Sequence, residues 1–140
     1  VAVALDSNVV IGFLDLTDEL HPAADLTVRQ VLGTELLVVS AVTYAEVLTG
    51  ARLGHHDEGA VKGFFDDLIS RIVSVDTAIA DRAADIRAKT KALAMPDALI
   101  AATAEVDPGV ELLVTADEAI ANLKNLDCRV RLVLSEKASS

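Results

Sequence analysis

Three short, unbroken apolar runs constrain this chain more than any other feature: Val1–Leu5, Leu36–Val39 and Leu112–Val114. A strand with one wet face alternates apolar and polar residues, and none of these runs alternates. Each therefore reads as a strand buried on both faces, the hallmark of a parallel sheet covered by helices above and below. The segments between them carry apolar residues at helical spacing, so strands and helices alternate along the chain. That order implies an α/β sandwich around a mainly parallel sheet. In such sheets ligands sit outside the carboxyl ends of the strands. The residues that close the runs, Asp6-Ser7-Asn8, Ser40 and Thr115-Ala116-Asp117, are thus the first place to look for chemistry.

In order, the pattern predicts a helix over Ser7–Leu14, a polar loop from Asp15 to Pro22, and a helix over Ala23–Leu32 stopped at Gly33. The strand Leu36–Ser40 leads into a helix over Ala41–Arg52, and a further helix covers Ala60–Ile69, with Phe64 and Phe65 as core aromatics. Next come a short strand over Ile72–Val75 and a helix over Thr77–Lys91 with Ile79, Ala83, Ile86 and Thr90 on one stripe. Met95-Pro96 starts a helix running from Asp97 to Ala104, apolar all round and so expected in the middle of the domain. Glu111–Thr115 and Val130–Leu134 are strands, Ala119–Leu123 is a short helix, and Ser135–Ser140 is expected to be a disordered tail. No repeat or linker divides the 140 residues, which we expect to form one domain.

Charge and cysteine usage narrow the class. The single Cys128 allows neither an intrachain disulfide nor a thiolate metal cluster, which fits a reducing cytoplasm. No apolar stretch approaches the length of a membrane span, and Val1–Leu5 lacks the basic leader of a signal peptide. The absence of an opening Met implies a trimmed or alternative start. The net charge is −10, the wrong sign for a protein that binds nucleic acid by overall charge. Hydrophobic residues make up 52% of the chain with few aromatics, so some apolar area is expected to be covered by a partner.

Four acids stand where a parallel sheet would gather them. Asp6 and Asp117 follow buried strands, Asp97 opens the buried helix, and Glu46 lies one turn into a helix that follows a strand. Each has a plain alternative: Asp6 as a helix cap, Glu46 as an exposed acid or a partner of Arg52. Together they form a group whose mutual repulsion is relieved by cations. Oxygen-only ligands favour Mg²⁺ or Mn²⁺ over zinc. Carboxylate-held ions of this kind are a standard device for in-line phosphodiester hydrolysis. The adjacent His55 and His56 point apart and read as surface residues. Arg82, Arg87, Lys89 and Lys91 are the densest basic cluster, either a solvated face or a landing strip for phosphates.

With these residues in place the chain resembles the PIN-domain ribonucleases, and among them the VapC-type toxins of bacterial toxin–antitoxin pairs. Asp6-Ser7-Asn8 looks like the family's opening acid motif, and the segment from Ser40 to Glu46 like its second. The segment from Asp97 to Ala104 is close to its most recognisable stretch, and Thr115-Ala116-Asp117 looks like its fourth. The resemblance implies a PIN-like three-layer α/β/α sandwich and a metal-dependent endoribonuclease inhibited by a cognate antitoxin and often dimeric. By position it makes Asp6, Glu46, Asp97 and Asp117 the acidic site, with Asn8 and Thr115 as supporting polar groups. One departure is visible: where the family usually shows a further Asp and an aromatic after the fourth acid, Glu118, Ala119 and Ile120 stand here.

Three other readings compete. An aspartyl-nucleophile phosphatase would want a second Asp at the position of Asn8. A PIN nuclease of general RNA processing would act without an antitoxin. A PIN-like interaction module would have acids that no longer bind metal, though all four are retained.

Overall fold

A computed structural model describes residues 1–135. The elements are β1 (Ala2–Leu5), α1 (Ser7–Leu14), α2 (His21–Leu32), β2 (Leu36–Ser40), α3 (Ala41–Arg52), α4 (Glu58–Asp67), β3 (Arg71–Val73), α5 (Thr77–Lys89), α6 (Met95–Val106), β4 (Val110–Thr115), α7 (Glu118–Ala121) and β5 (Arg129–Leu132). The expected tail falls mostly on residues 136–140, which lie outside the described residues.

The five strands form one sheet in the order β3-β2-β1-β4-β5, and every pairing is parallel. β1 is central. Ala2–Ala4 pair with Leu36–Val38 on one side, and Val3–Leu5 pair with Leu112–Val114 on the other. From β1 the chain winds outward first through β2 and β3, then returns to place β4 and β5 on the opposite side. The reversal falls between β1 and β4, and this topology places ligand sites beyond the carboxyl ends of those strands.

The alternation of side chains along buried strands divides the interior into two cores. Val3, Leu5, Leu37, Val39 and Val114 face α1–α4. Ala2, Ala4, Val38 and Leu113 face α5–α7. Phe64 and Phe65 lie in the first core, with ring centroids 5.5 Å from Phe13 and 4.9 Å from Tyr44 respectively. In the second core the small residues of β1 meet Ala98, Ala101, Ala102 and Ala104 of α6, which the sequence marks as apolar all round. Helices on both faces of a parallel sheet make the expected three-layer α/β/α sandwich.

Several boundaries differ from expectation. α2 begins at His21, ahead of the expected Ala23, because Pro22 sits in its first turn and the His21 ring hydrogen-bonds the Gly12 carbonyl at 2.9 Å. α4 runs from Glu58 to Asp67 instead of Ala60–Ile69, since Asp57 caps it through the Ala60 N–H. β3 covers Arg71–Val73, not Ile72–Val75, because its extent is set by pairing with Val38–Ser40 of β2. β4 and β5 likewise begin at Val110 and Arg129, one residue earlier than expected. α5 stops at Lys89, two residues before Lys91, and α6 extends to Val106. α7 is a single turn, Glu118–Ala121, in place of the expected Ala119–Leu123.

Candidate active site

Each of the four acids reaches this end of the sheet from a different element. Asp6 follows β1 and caps α1. Its carboxylate does not take the N–H of the second or third helix residue. Instead Oδ1 accepts the Ser7 N–H at 2.7 Å, and Oδ2 accepts the Thr115 hydroxyl at 2.7 Å. The residue is 2% exposed. Burial, opposed by those two hydrogen bonds and reinforced by the charges of Asp97 and Glu46, raises its pKa to about 6. The capping alternative is therefore only part of its role.

Asp97 stands in the first turn of α6, which begins at Met95 with Pro96 next and has no side-chain cap, so its carboxylate is not used to close the helix. Its pKa is raised by desolvation and then by the charges of Asp117 and Glu46. Asp117 caps α7 through the Ala119 N–H at 2.9 Å. These shifts link the acids electrostatically: Asp6 feels Asp97 and Glu46, and Asp97 feels Glu46 and Asp117. All four acids predicted from the sequence are thus brought to one end of the sheet.

Of the two plain alternatives for Glu46, exposure holds and the pairing with Arg52 does not, because Arg52 pairs with Glu58 instead. Yet it is not a free surface acid, because its Oε1 accepts the Ser7 hydroxyl at 2.6 Å.

The supporting groups tie the β1–α1 and β4–α7 turns together. Thr115 is fully buried, and its hydroxyl donates to Asp6 while accepting the Asp117 N–H at 3.0 Å. The Asn8 side-chain oxygen accepts the Ala116 N–H at 3.1 Å. Sequence reasoning treated Ser7 only as a helix-start residue and passed over Thr43, whose hydroxyl lies 3.3 Å from that of Ser7. The available signal was spacing: Thr43 precedes Glu46 by one turn on the same helix, and Ser7 directly follows Asp6.

The departure after the fourth acid also has a structural account. Ile120 is fully buried in the second core, and Glu118 is exposed. The positions that depart from the family pattern are occupied by packing and solvent, not by an additional acid at the site.

The basic cluster is not the open strip considered from sequence. Arg82 is engaged by Glu105 and Asp85 and donates to the Asn125 carbonyl at 3.1 Å. Lys89 pairs with Asp85, and Arg87 donates to the Lys91 carbonyl at 2.6 Å. These contacts bind α5 to α6 and to the loop before β5.

Among the described residues no three acid, histidine or cysteine side chains converge closely enough to form a ready metal-ligand set. The fit to a divalent cation is one of donor chemistry. The donors are carboxylate oxygens, suited to a hard cation. One is buried, and the shifts of Asp6 and Asp97 reflect desolvation first and the neighbouring negative charges second, both of which positive charge would offset.

The fold and site define an α/β protein with four carboxylates gathered at the switch point of a parallel sheet. The PIN domain model matches residues 3–126, and the chain belongs to that family. No curated protein matches by sequence. Similar solved structures include a toxin–antitoxin complex from Klebsiella pneumoniae, at 23% identity and TM-score 0.74 over 95% of this chain and 98% of that one. VapBC2 from Rickettsia felis, bound to a DNA fragment from its promoter, is 13% identical with TM-score 0.71, covering 94% and 98%. VapC20 of Mycobacterium tuberculosis, a sarcin-ricin loop cleaving toxin, is 15% identical with TM-score 0.67, covering 91% and 98%.

Proposed function

We propose that this chain is a metal-dependent endoribonuclease acting as the toxin of a toxin–antitoxin pair. The observation that carries the reading is the electrostatic coupling of acids from four separate elements near the carboxyl ends of the strands: Asp6 feels Asp97 and Glu46, and Asp97 feels Asp117 and Glu46. Asp6 and Asp97 are the principal ligands for Mg²⁺ or Mn²⁺, with Glu46 and Asp117 completing the acidic ring. When bound, such an ion supplies positive charge for the scissile phosphate and lowers the pKa of an attacking water. Thr115 and the Ser7 N–H hold both oxygens of Asp6 in place, so that carboxylate has little freedom to turn away. Asn8 fixes the turn that carries Asp117 through the Ala116 N–H. Asn8 is committed to this backbone contact, and with family membership that removes the case for an aspartyl-nucleophile phosphatase.

The partner reading is supported by the resemblance to solved toxin–antitoxin complexes and by apolar side chains left in solvent. Leu16 follows α1, Leu26 stands on α2 and Leu53 follows α3, and all three are exposed. These helices are the face we assign to an amphipathic helix from the antitoxin. An arginine of that inhibitor placed among the acids would compete with the cation. Without the antitoxin, we expect the chain to self-associate as a dimer.

The test is cleavage of RNA by the purified chain. Activity is expected with Mg²⁺ or Mn²⁺ and not in EDTA, and Asp97→Asn should lower it on the order of a hundredfold or more. Far-UV circular dichroism should be unchanged. An Asp97→Asn protein that cuts at the wild-type rate would overturn the assignment.

A further inference from the structure

We propose that Ser7 and Thr43 form a hydroxyl relay that positions Glu46 for cation binding, a role that rests on the proposed metal site. The argument begins with counting hydrogens. The Ser7 Oγ lies 2.6 Å from Glu46 Oε1 and 3.3 Å from Thr43 Oγ1. A serine has one hydroxyl hydrogen, and an ionised carboxylate can only accept. That hydrogen therefore goes to Glu46. Thr43 is left as the donor to Ser7, and the chain runs from the Thr43 hydroxyl through the Ser7 hydroxyl to the Glu46 carboxylate.

Burial makes the direction stick. Thr43 is fully buried and Ser7 nearly so. Neither hydroxyl has water as a ready alternative, and a buried hydroxyl without a partner is costly. Hydroxyls in series polarise one another, which strengthens the last bond, the one to the carboxylate. Asp6 already caps α1, so the Ser7 hydroxyl is not needed for capping and is available to reach across to α3.

The relay matters because of what Glu46 would otherwise do. It is an exposed, long side chain with rotamer freedom to lose. The relay fixes it from both sides of a helix–helix contact: Ser7 reaches it from α1, and Thr43 supports Ser7 from one turn earlier on α3 itself. Ser7 also gives its backbone N–H to Asp6 Oδ1. One residue thus touches two acids that come from different elements, and sets their mutual geometry. Ser7 and Thr43 are positioning residues: they act through Glu46, not on the substrate.

The experiment measures Mn²⁺ binding by isothermal titration calorimetry without RNA, alongside RNA cleavage. Ser7→Ala keeps the backbone donor to Asp6 and removes only the hydroxyl, and is expected to weaken Mn²⁺ on the order of tenfold. Thr43→Val should weaken it less, and Thr43→Ser, which keeps the hydroxyl, should restore wild-type affinity. The decisive variant is Ser7→Ala combined with Glu46→Gln, expected to bind no worse than Glu46→Gln alone. Wild-type affinity in Ser7→Ala, or additive losses in the double variant, would overturn the relay while the metal site stood. Failure of the wild-type chain to bind Mn²⁺ would overturn the metal site and the relay with it. Thermal unfolding in EDTA identifies any variant that has simply lost its fold, and Thr43→Ser then carries the test.

Discussion

Replacing Asp6 by Asn should stabilise the protein while disabling it. The carboxyl's pKa is raised from its ordinary 3.8 to about 6, chiefly by burial. An acid whose folded pKa lies above its unfolded value holds its proton more tightly in the folded state. Ionisation therefore costs stability: the penalty is absent below the unfolded pKa, grows as pH rises between the two values, and is complete above the folded one. A shift of this size corresponds to about 3 kcal/mol at neutral pH. Asn cannot ionise, so the variant escapes that cost.

Against this stands one hydrogen bond. With the Asn oxygen facing the Ser7 N–H, its amide nitrogen meets the Thr115 hydroxyl, which now donates to Asp6 and already accepts the Asp117 N–H. Turning that hydroxyl away costs about 1 kcal/mol. The net gain in EDTA is therefore about 1–2 kcal/mol at about pH 8, shrinking towards zero at about pH 5, where Asp6 is mostly protonated in the fold. Urea unfolding of both proteins at those two pH values, above the sequence pI of 4.5, measures it. With the proposed metal site, added Mg²⁺ should reverse the order by binding the folded wild type alone. An Asp6→Asn protein less stable than wild type in EDTA at the higher pH would refute the reasoning. So would an advantage that did not change with pH.

Further outcomes follow from contacts elsewhere. A Cβ on Gly12 would lie 3.1 Å from Leu20 Cδ2 and 3.3 Å from the Ala24 Cβ, so Gly12→Ala should push α1 from α2 and cost about 1–2 kcal/mol by urea unfolding. Arg82→Ala removes the side chain that joins α5, α6 and the Asn125 turn, and should cost about 1–3 kcal/mol. The same variant should leave Mn²⁺ affinity unchanged, because Arg82 is committed to structure; a marked loss of RNA binding would restore the phosphate-strip reading.

The sheet and the acids were legible because each rests on a local rule. A short apolar run bounded by turn residues reads as a strand buried on both faces, and an acid that ends one lies at the sheet's edge. That carried Asp6, Asp117 and the strand order's consequence without knowledge of contacts. Asp97 was legible for a related reason: Pro96 and the all-apolar turns after it fix where α6 begins and how deeply it sits. The edge strand β3 and the start of α2 were less so. Their limits are set by partners distant in sequence, Val38–Ser40 for one and the Gly12 carbonyl for the other. The engagement of Arg82 was not legible for the same reason, since Glu105 lies 23 residues away and no local pattern announces the pair.

Ser7 marks the boundary of what a linear reading can reach. At the first position of a helix a serine is unremarkable, and its neighbour Asp6 accounts for the cap. Its significance appears only when α1 and α3 are packed side by side, because only then does its hydroxyl lie between Thr43 and Glu46. The same packing explains how an exposed glutamate can belong to a site at all. Four carboxylates drawn from four elements need the sheet to bring them near, but nearness alone leaves each free to turn from the others' charge. Neutral donors restrain three of them: the Ser7 N–H and Thr115 hydroxyl hold Asp6, the Ser7 hydroxyl holds Glu46, and the Ala116 N–H on Asn8 steadies the turn that carries Asp117. The acids supply the charge, and the small polar residues between them make that charge usable.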